Sequence, residues 1–260
     1  MAARIRHVAI SSGNSGLLLE FYQSLFGMAP DRTQVVTDGY IGMNVNRRGG
    51  GRQAGIDHFG VEVDDVEAVM ARSRAAFPAV HFLKRPANRP FASIGTHDPA
   101  GNVFDLSQAG MENRRGFYAD GGDTWRPRHI SHFELRAMDP ALLAEFYGRV
   151  YDFQVSQDAD GKFAVSDGRV TLVIAPWDIR DYAGTGIERP AIEHLGFAVE
   201  SVEAFERDRD QLMEARPDLF PNSAKAETEG ARRMEILARC NRGALQLCDP
   251  DGILIDVAEA

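Results

Sequence analysis

Four histidines in this chain fall into two matched pairs. His7 and His58 lie in the first half and His132 and His194 in the second, each on a short apolar stretch with strand character. In each half an aspartate follows on a later stretch of the same kind, Asp105 and then Asp256. Two imidazoles and one carboxylate suit a divalent first-row metal, and three protein ligands leave coordination positions open for substrate, water or dioxygen. A lone histidine at a strand start is ordinarily a hydrogen-bonded structural residue; the recurrence of the same set of three gives this one its weight. Strand parity adds to it, because residues i and i+2 share a face. His132 is thereby joined by Glu134 and Arg136, His58 by Gly60 and Glu62, and His194 by Gly196 and Ala198. Small or polar companions mark a cavity wall. Glu134 is the acid/base candidate on that wall, with an ion pair to Arg136 as its other possible role.

The elements that must carry these residues repeat. His7-Val-Ala-Ile followed by Glu20-Phe21-Tyr22 is echoed by His132-Phe-Glu-Leu followed by Glu145-Phe146-Tyr147. Ile56-Asp57-His58-Phe59-Gly60-Val61 returns as Ile192-Glu193-His194-Leu195-Gly196-Phe197, and Asp98-Pro99-Ala100-Gly101 leading to Asp105 returns as Asp249-Pro250-Asp251-Gly252 leading to Asp256. The spacing between corresponding blocks lengthens along the chain, as insertions confined to the loops of a duplicated unit produce.

Within each half the pattern reads strand, helix, strands, and then the same again. Arg4 to Ile10 is a strand, and Leu17 to Phe26 carries a helical apolar stripe closed by Gly27. Tyr40 to Val45 and His58 to Val63 are strands, and Val66 to Phe77 is a helix opened by Asp64 and Asp65. Ala92 to Thr96 and Asn102 to Ser107 form a hairpin around the Asp-Pro turn. In the second half helices open at Asp139-Pro140 and span Val202 to Ala215, and Val170 to Ile174 is a strand. The expected fold is α+β: four βαβββ modules paired into two cup-shaped mixed-sheet domains with helices on the outer sides. The domains are residues 1–110 and 128–260. Between them, the Gly-rich stretch 111–127 reads as a linker, in which Phe117, Tyr118 and Trp125 are expected to pack against a domain.

Composition excludes several classes of function. Of 260 residues 44% are apolar and 26% charged, enough for a real core. Lys and Arg number 29 against 38 Asp and Glu, a net charge of −9 that repels nucleic acid and anionic lipid. No apolar run approaches the roughly 20 residues that span a bilayer, and no secretory signal is visible, so the cytoplasm is the expected compartment. Cys240 and Cys248 are expected to be reduced. The remaining partner is a small-molecule substrate, with a homo-oligomer left open.

The blocks His-Val-Ala-Ile with Glu-Phe-Tyr, Asp-His-Phe-Gly-Val and Asp-Pro-Ala-Gly-Asn-Val-Phe-Asp resemble those of the vicinal oxygen chelate superfamily, over nearly the whole chain outside the linker. That superfamily includes glyoxalase I, extradiol dioxygenases, fosfomycin and bleomycin resistance proteins and methylmalonyl-CoA epimerase. The layout of four modules is similar to that of the two-domain extradiol dioxygenases. The resemblance implies metal ligation by His7, His58 and Asp105, by His132, His194 and Asp256, or by both sets. It implies Fe(II) first, with Mn, Zn, Ni or Co as alternatives. Here the last ligand position holds aspartate where relatives usually carry glutamate, and the position of the extradiol tyrosine holds Gly95 in one half and Gln246 in the other. No histidine lies between His132 and His194, and Tyr40 to Val45 and Val170 to Ile174 lack the acid of the glyoxalase pattern. The implied activity is a metal-dependent, extradiol-dioxygenase-like reaction on a small substrate with vicinal oxygens. A non-redox isomerase or lyase and a sequestering resistance protein are the alternatives. His97, Tyr40, Tyr118, Trp177, Arg85 and Arg89 are secondary candidates.

Overall fold

The computed structural model describes residues 3–51, 53–86, 89, 91–111, 126–179, 191–221 and 243–260. Of the stretch 111–127 expected to be a linker, residues 112–125, with Phe117, Tyr118 and Trp125, lie outside the described residues, as does Cys240.

The first half forms β1 (Ala3–Ser12), α1 (Ser15–Phe26), β2 (Ala29–Arg32), β3 (Val35–Thr37), β4 (Gly42–Arg47), β5 (Gly55–Val63), α2 (Val66–Ala76), β6 (Phe82–Lys84), β7 (Ile94–His97) and β8 (Val103–Gln108). The second forms β9 (His129–Ala137), α3 (Pro140–Tyr151), β10 (Gln154–Gln157), β11 (Phe163–Ser166), β12 (Thr171–Pro176), β13 (Ile192–Val199), α4 (Val202–Ala215), β14 (Leu245–Cys248) and β15 (Leu254–Glu259). Three modules show the full βαβββ order. The fourth shows βαββ among the described residues, and its stretch 222–242 lies outside them.

Each half builds one mixed sheet. The orders are β2-β3-β4-β1-β5-β8-β7-β6 and β10-β11-β12-β9-β13-β15-β14, so the two modules of a half join through their first strands. Those central pairs, β1 with β5 and β9 with β13, run antiparallel. Local chemistry sets the helix ends. Asn14, Asp65, Asp139 and Ser201 cap α1, α2, α3 and α4 by accepting a backbone N–H from three residues on, and α1 closes at Gly27 in the left-handed region, φ 65°. Tyr40 and Ile41, expected in a strand, lie in a turn instead. The carboxylate of Asp38 accepts their backbone N–H groups at 2.8 and 2.6 Å, and this delays β4 to Gly42.

The helices lie outside both cups, yet they face one another. α2 packs on α3 and α1 on α4, and Phe59 and Val61 of β5, Phe133 and Leu135 of β9, and Leu195 and Phe197 of β13 are buried in the same apolar cluster. Phe26 of α1 stacks on Phe197 of β13 at 3.9 Å, and Phe59 of β5 approaches Phe133 of β9 and Tyr147 of α3. One contiguous apolar cluster therefore serves both halves. Backbone bonds cross the same seam reciprocally: Ile5 N–H donates to Asp167 Oδ2 at 2.7 Å, and Ile130 N–H to Asp38 Oδ2 at 2.8 Å. The alternate residues of β5, β9 and β13 carry His58, Gly60, His132, Glu134, His194 and Gly196 into the concave side of each sheet, and on β1, whose pairing with β5 shifts register between Ile5 and His7, His7 joins them while Val8 and Ile10 enter the core. Among the described residues no helix is long and apolar enough to cross a membrane.

Candidate metal centres

A single rung crosses the second sheet. His132 on β9 pairs with Gly196 on β13, Gly196 with Asp256 on β15, and Asp256 with Gln246 on β14. His132 and Asp256 thus stand two strands apart, a separation of roughly 9–10 Å between backbones, and their side chains meet above the glycine between them. The glycine is required. A Cβ on Gly196 would lie 1.9 to 2.4 Å from Cε1, Nδ1 and Nε2 of His132, because the imidazole rests in the notch that glycine leaves. His132 Nε2 is 3.5 Å from Asp256 Oδ2, and the rings of His132 and His194 stand perpendicular with centroids 5.5 Å apart.

One atom each of His132, His194 and Asp256 falls within 4.8 Å of the others. Bonds of about 2.0–2.2 Å to a metal place adjacent ligand atoms about 3.0–3.5 Å apart, so a small contraction suffices to close this set on one ion. The donors are held for that purpose. Asp256 Oδ1 accepts from Gln246 Nε2 and Oδ2 from Gly243 N–H, both at 3.0 Å, and His132 Nδ1 lies 3.1 Å from Ser131 Oγ. His194 is fully buried, its Nε2 has no hydrogen-bond partner among the described residues, and its Nδ1 lies 3.6 Å from Glu193 Oε2, beyond hydrogen-bond reach. A buried imidazole left in this state costs about 1–3 kcal/mol per unmet polar atom, which a bound cation would offset. The donor set and its orphaned nitrogen fit a divalent metal.

Glu134 pairs with His194 across β9 and β13 and is fully buried. Arg136 Nη2 and Lys162 Nζ approach its Oε1 at 3.3 and 3.5 Å, while Oε2 has no hydrogen-bond partner among the described residues. Burial pushes the Glu134 carboxyl above its ordinary value, and His194, Arg136 and Lys162 only partly offset this. The anticipated ion pair with Arg136 is present but shared, since Arg136 Nε also donates to Glu193 at 2.9 Å. Burial pushes Glu193 upward too, but His194 and Arg136 outweigh it and hold that carboxyl below its usual range.

The first half repeats the rung as His7, Gly60, Asp105 and Gly95, and His7, His58 and Asp105 form the second group within 4.8 Å. The details differ. His58 Nε2 is 3.0 Å from Asp105 Oδ2, and its Nδ1 is 3.0 Å from Asp57 Oδ2. Burial opposes charge on His58, but these two carboxylates prevail and raise it to about 9. Asp105 is pushed up by burial and drawn below its ordinary value by His58, His7 and Arg85. Ala9 and Ser11 stand where the second half has Glu134 and Arg136.

Residues 129–257 match the Glyoxalase/Bleomycin resistance protein/Dioxygenase superfamily. Through that half, the chain belongs to this superfamily. The sequence has no match among curated proteins. Among solved structures, the chain is similar to the 2,3-dioxygenase LapB from Pseudomonas sp. KL28, with a TM-score of 0.65 at 16% identity over 99% of this chain and 92% of that one. It is similar to the Mn(II)-bound glyoxalase from Novosphingobium aromaticivorans, with a TM-score of 0.61 at 17% identity over 98% and 81%. Homoprotocatechuate 2,3-dioxygenase from Arthrobacter globiformis gives a TM-score of 0.61 at 14% identity over 99% and 79%. At these identities the likeness is one of fold, and it spans both halves of this superfamily member.

Of the secondary candidates, Tyr40 is buried in the apolar core and donates to Asp167 at 3.0 Å. His97 is held in its turn, with Nδ1 2.8 Å from Asp98 O and Nε2 accepting His81 N–H at 3.1 Å. Arg85 lies beside Gly95 and acts on Asp105. Asp57 and Glu193, beside His58 and His194, are not singled out in the sequence reading, and Gln246, named there only for the tyrosine it replaces, hydrogen-bonds Asp256. The first two were legible as the acid that immediately precedes a ligand-type histidine in both halves.

Proposed function

We propose that the second cup is the reactive centre of a metal-dependent, extradiol-dioxygenase-like enzyme acting on a small catechol-like substrate with two adjacent oxygens. The observation that carries this reading is His194, buried beside His132 and Asp256 with a ring nitrogen that no group among the described residues satisfies. His132 and His194 would set the geometry and Asp256 would offset the charge, in the arrangement of two histidines and one carboxylate that suits Fe(II). When bound, iron supplies Lewis acidity toward two vicinal oxygens and electron transfer toward dioxygen. Gln246 and the Gly243 N–H orient Asp256, compensating for a side chain one methylene shorter than glutamate. Glu134, desolvated and with one free oxygen, accepts the proton that a substrate hydroxyl gives up. Arg136 and Lys162 keep an anion tolerable in that wall.

The same free Glu134 oxygen favours a second reading, a non-redox isomerase or lyase in which Glu134 moves a proton between carbon and oxygen. Gln246, bonded to Asp256 at the position of the extradiol tyrosine, points the same way. Metal analysis and oxygen uptake decide between the two. Fe(II)-loaded protein should consume oxygen when given catechols, and His132→Ala with His194→Ala should abolish both metal in this cup and uptake. Metal retention without oxygen uptake would transfer the assignment to the second reading, and full metal occupancy in the doubly altered protein would remove both.

A further inference from the structure

The first cup is filled by its own chain on one side and left open on the other. Phe91 is fully buried, stacks on His7 with centroids 4.7 Å apart, and joins Val35 in a two-residue apolar cluster apart from the main core. It also enters the glycine notch: a Cβ on Gly60 would lie 2.5 Å from Phe91 Cε1, whereas the corresponding notch at Gly196 holds the ring of His132. Phe91 thus covers β1, β3 and β5.

The side formed by β6, β7 and β8 is different. Leu83 pairs with Gly95, Gly95 with Asp105, and His97 with Val103, so Leu83, His97 and Val103 share the concave face with Asp105. Their chain neighbours Phe82 and Phe104 turn the other way, onto the main core. Leu83 and Val103 are 66% and 57% exposed, large apolar side chains that the described residues leave to solvent.

Arg85 stands beside them. Its aliphatic stem rests on Gly95, where an added Cβ would lie 3.3 Å from Cδ and 3.6 Å from Nη1. Its guanidinium makes no hydrogen bond or ion pair among the described residues, and Nε is shielded from solvent as well. Asp105 feels this charge but is hydrogen-bonded to His58 instead. A ligand carboxylate accepting from Nε and Nη in parallel would meet the stranded donor.

The surroundings define the ligand. One guanidinium beside two exposed apolar side chains suits a single negative charge on an apolar body. Asp105, on the same face, opposes a second negative charge. Three strands spaced about 4.8 Å apart offer room for one ring or a short chain rather than a macromolecule.

We propose that Arg85, with Leu83 and Val103, forms a binding site for a small organic monocarboxylate on the open side of the first cup. It uses no residue of the second-cup centre, so the two readings stand or fall separately.

The test is fluorine NMR of para-fluorobenzoate added to full-length protein that has been stripped of metal with a chelator, so that no ion in the second cup attracts the carboxylate. Line broadening should saturate. Neutral para-fluorobenzamide should bind about 10- to 100-fold more weakly, the difference made by charge-assisted pairing, and Arg85→Gln should weaken the benzoate by the same factor. Val103→Asp should weaken it too, by placing a negative charge beside the site, and because it leaves Arg85 in place the result does not hang on one variant folding. His194→Gln should bind as wild type does. Absence of saturable broadening in wild type, or equal binding of benzoate and benzamide, would overturn the proposal. So would binding that Arg85→Gln and Val103→Asp leave unchanged; if His194→Gln then abolished it, the anion would belong to the second cup.

Discussion

Tyr22 of α1 donates a hydrogen bond of 2.9 Å to Asp249 in the Asp-Pro turn of the opposite half. The relationship is reciprocated by Tyr147 of α3 and Asp98, at 3.1 Å. Each half therefore supplies the tyrosine of its Glu-Phe-Tyr block to the turn that precedes the other half's last ligand strand. Each aspartate also accepts backbone N–H groups of its own turn, at Asp251 and Ile253 or at Ala100 and Asn102. Burial raises Asp98 and pushes Asp249 up to about 7, against the opposing pull of these donors.

The raised Asp249 predicts a specific pH dependence. A carboxyl whose folded value exceeds its unfolded value of about 3.9 binds its proton more tightly in the folded chain. Its contribution to stability is thus complete below about pH 4 and is lost as pH rises through about 7. Asp249→Asn retains the acceptor oxygen and removes the titration. Urea unfolding between pH 5 and 8 should show wild type losing on the order of a few kcal/mol relative to this variant. Parallel stability curves would contradict the assignment.

Tyr22→Phe should cost about 1–3 kcal/mol, because it leaves a buried carboxylate oxygen short of one donor. The core packing of the ring is unchanged. Tyr147→Phe should behave alike, and the two losses should add, since the contacts are separate.

The core shared between the halves predicts that they unfold together. Phe26→Ala removes a ring that stacks on Phe197 and meets Phe205 of α4, and about 3–5 kcal/mol should be lost. Calorimetry should still show one transition, displaced downward. Two resolved transitions, with only the first-half transition displaced, would show that the halves have independent cores.

Gly196→Ala should expel the His132 ring from its notch, since the added methyl would lie within 2.4 Å of three ring atoms. The second cup should then lose its metal, while stability falls by only about 1–3 kcal/mol. Metal analysis beside a thermal melt separates this from general unfolding.

Gln246→Leu should leave Asp256 with one fewer donor and weaken metal binding in the second cup by about 10- to 100-fold. Glu134→Gln, by contrast, should retain metal and lower kcat by about 10²- to 10⁴-fold. Competition with a chelator and steady-state rates measure the two effects separately.

The duplication, the strand and helix order and both sets of ligand-type residues were legible in the sequence, because they rest on local signals. These are alternation along strands, capping side chains before helices, and the return of the same blocks in the same order. The short strands at Ala29–Arg32, Val35–Thr37 and Phe82–Lys84 were not, because three or four residues offer too little periodicity and their pairing depends on neighbours distant in the chain. The inequality of the two cups was likewise a matter for the tertiary structure. His58 and His194 occupy the same position in equivalent blocks, yet one is bracketed by two carboxylates and the other has a ring nitrogen with no partner among the described residues. Nothing in either block encodes Phe91 settling into the notch at Gly60, or Gln246 reaching Asp256. Which atoms converge is decided by strand register and by what fills the space above a glycine, and both are properties of the assembled sheet.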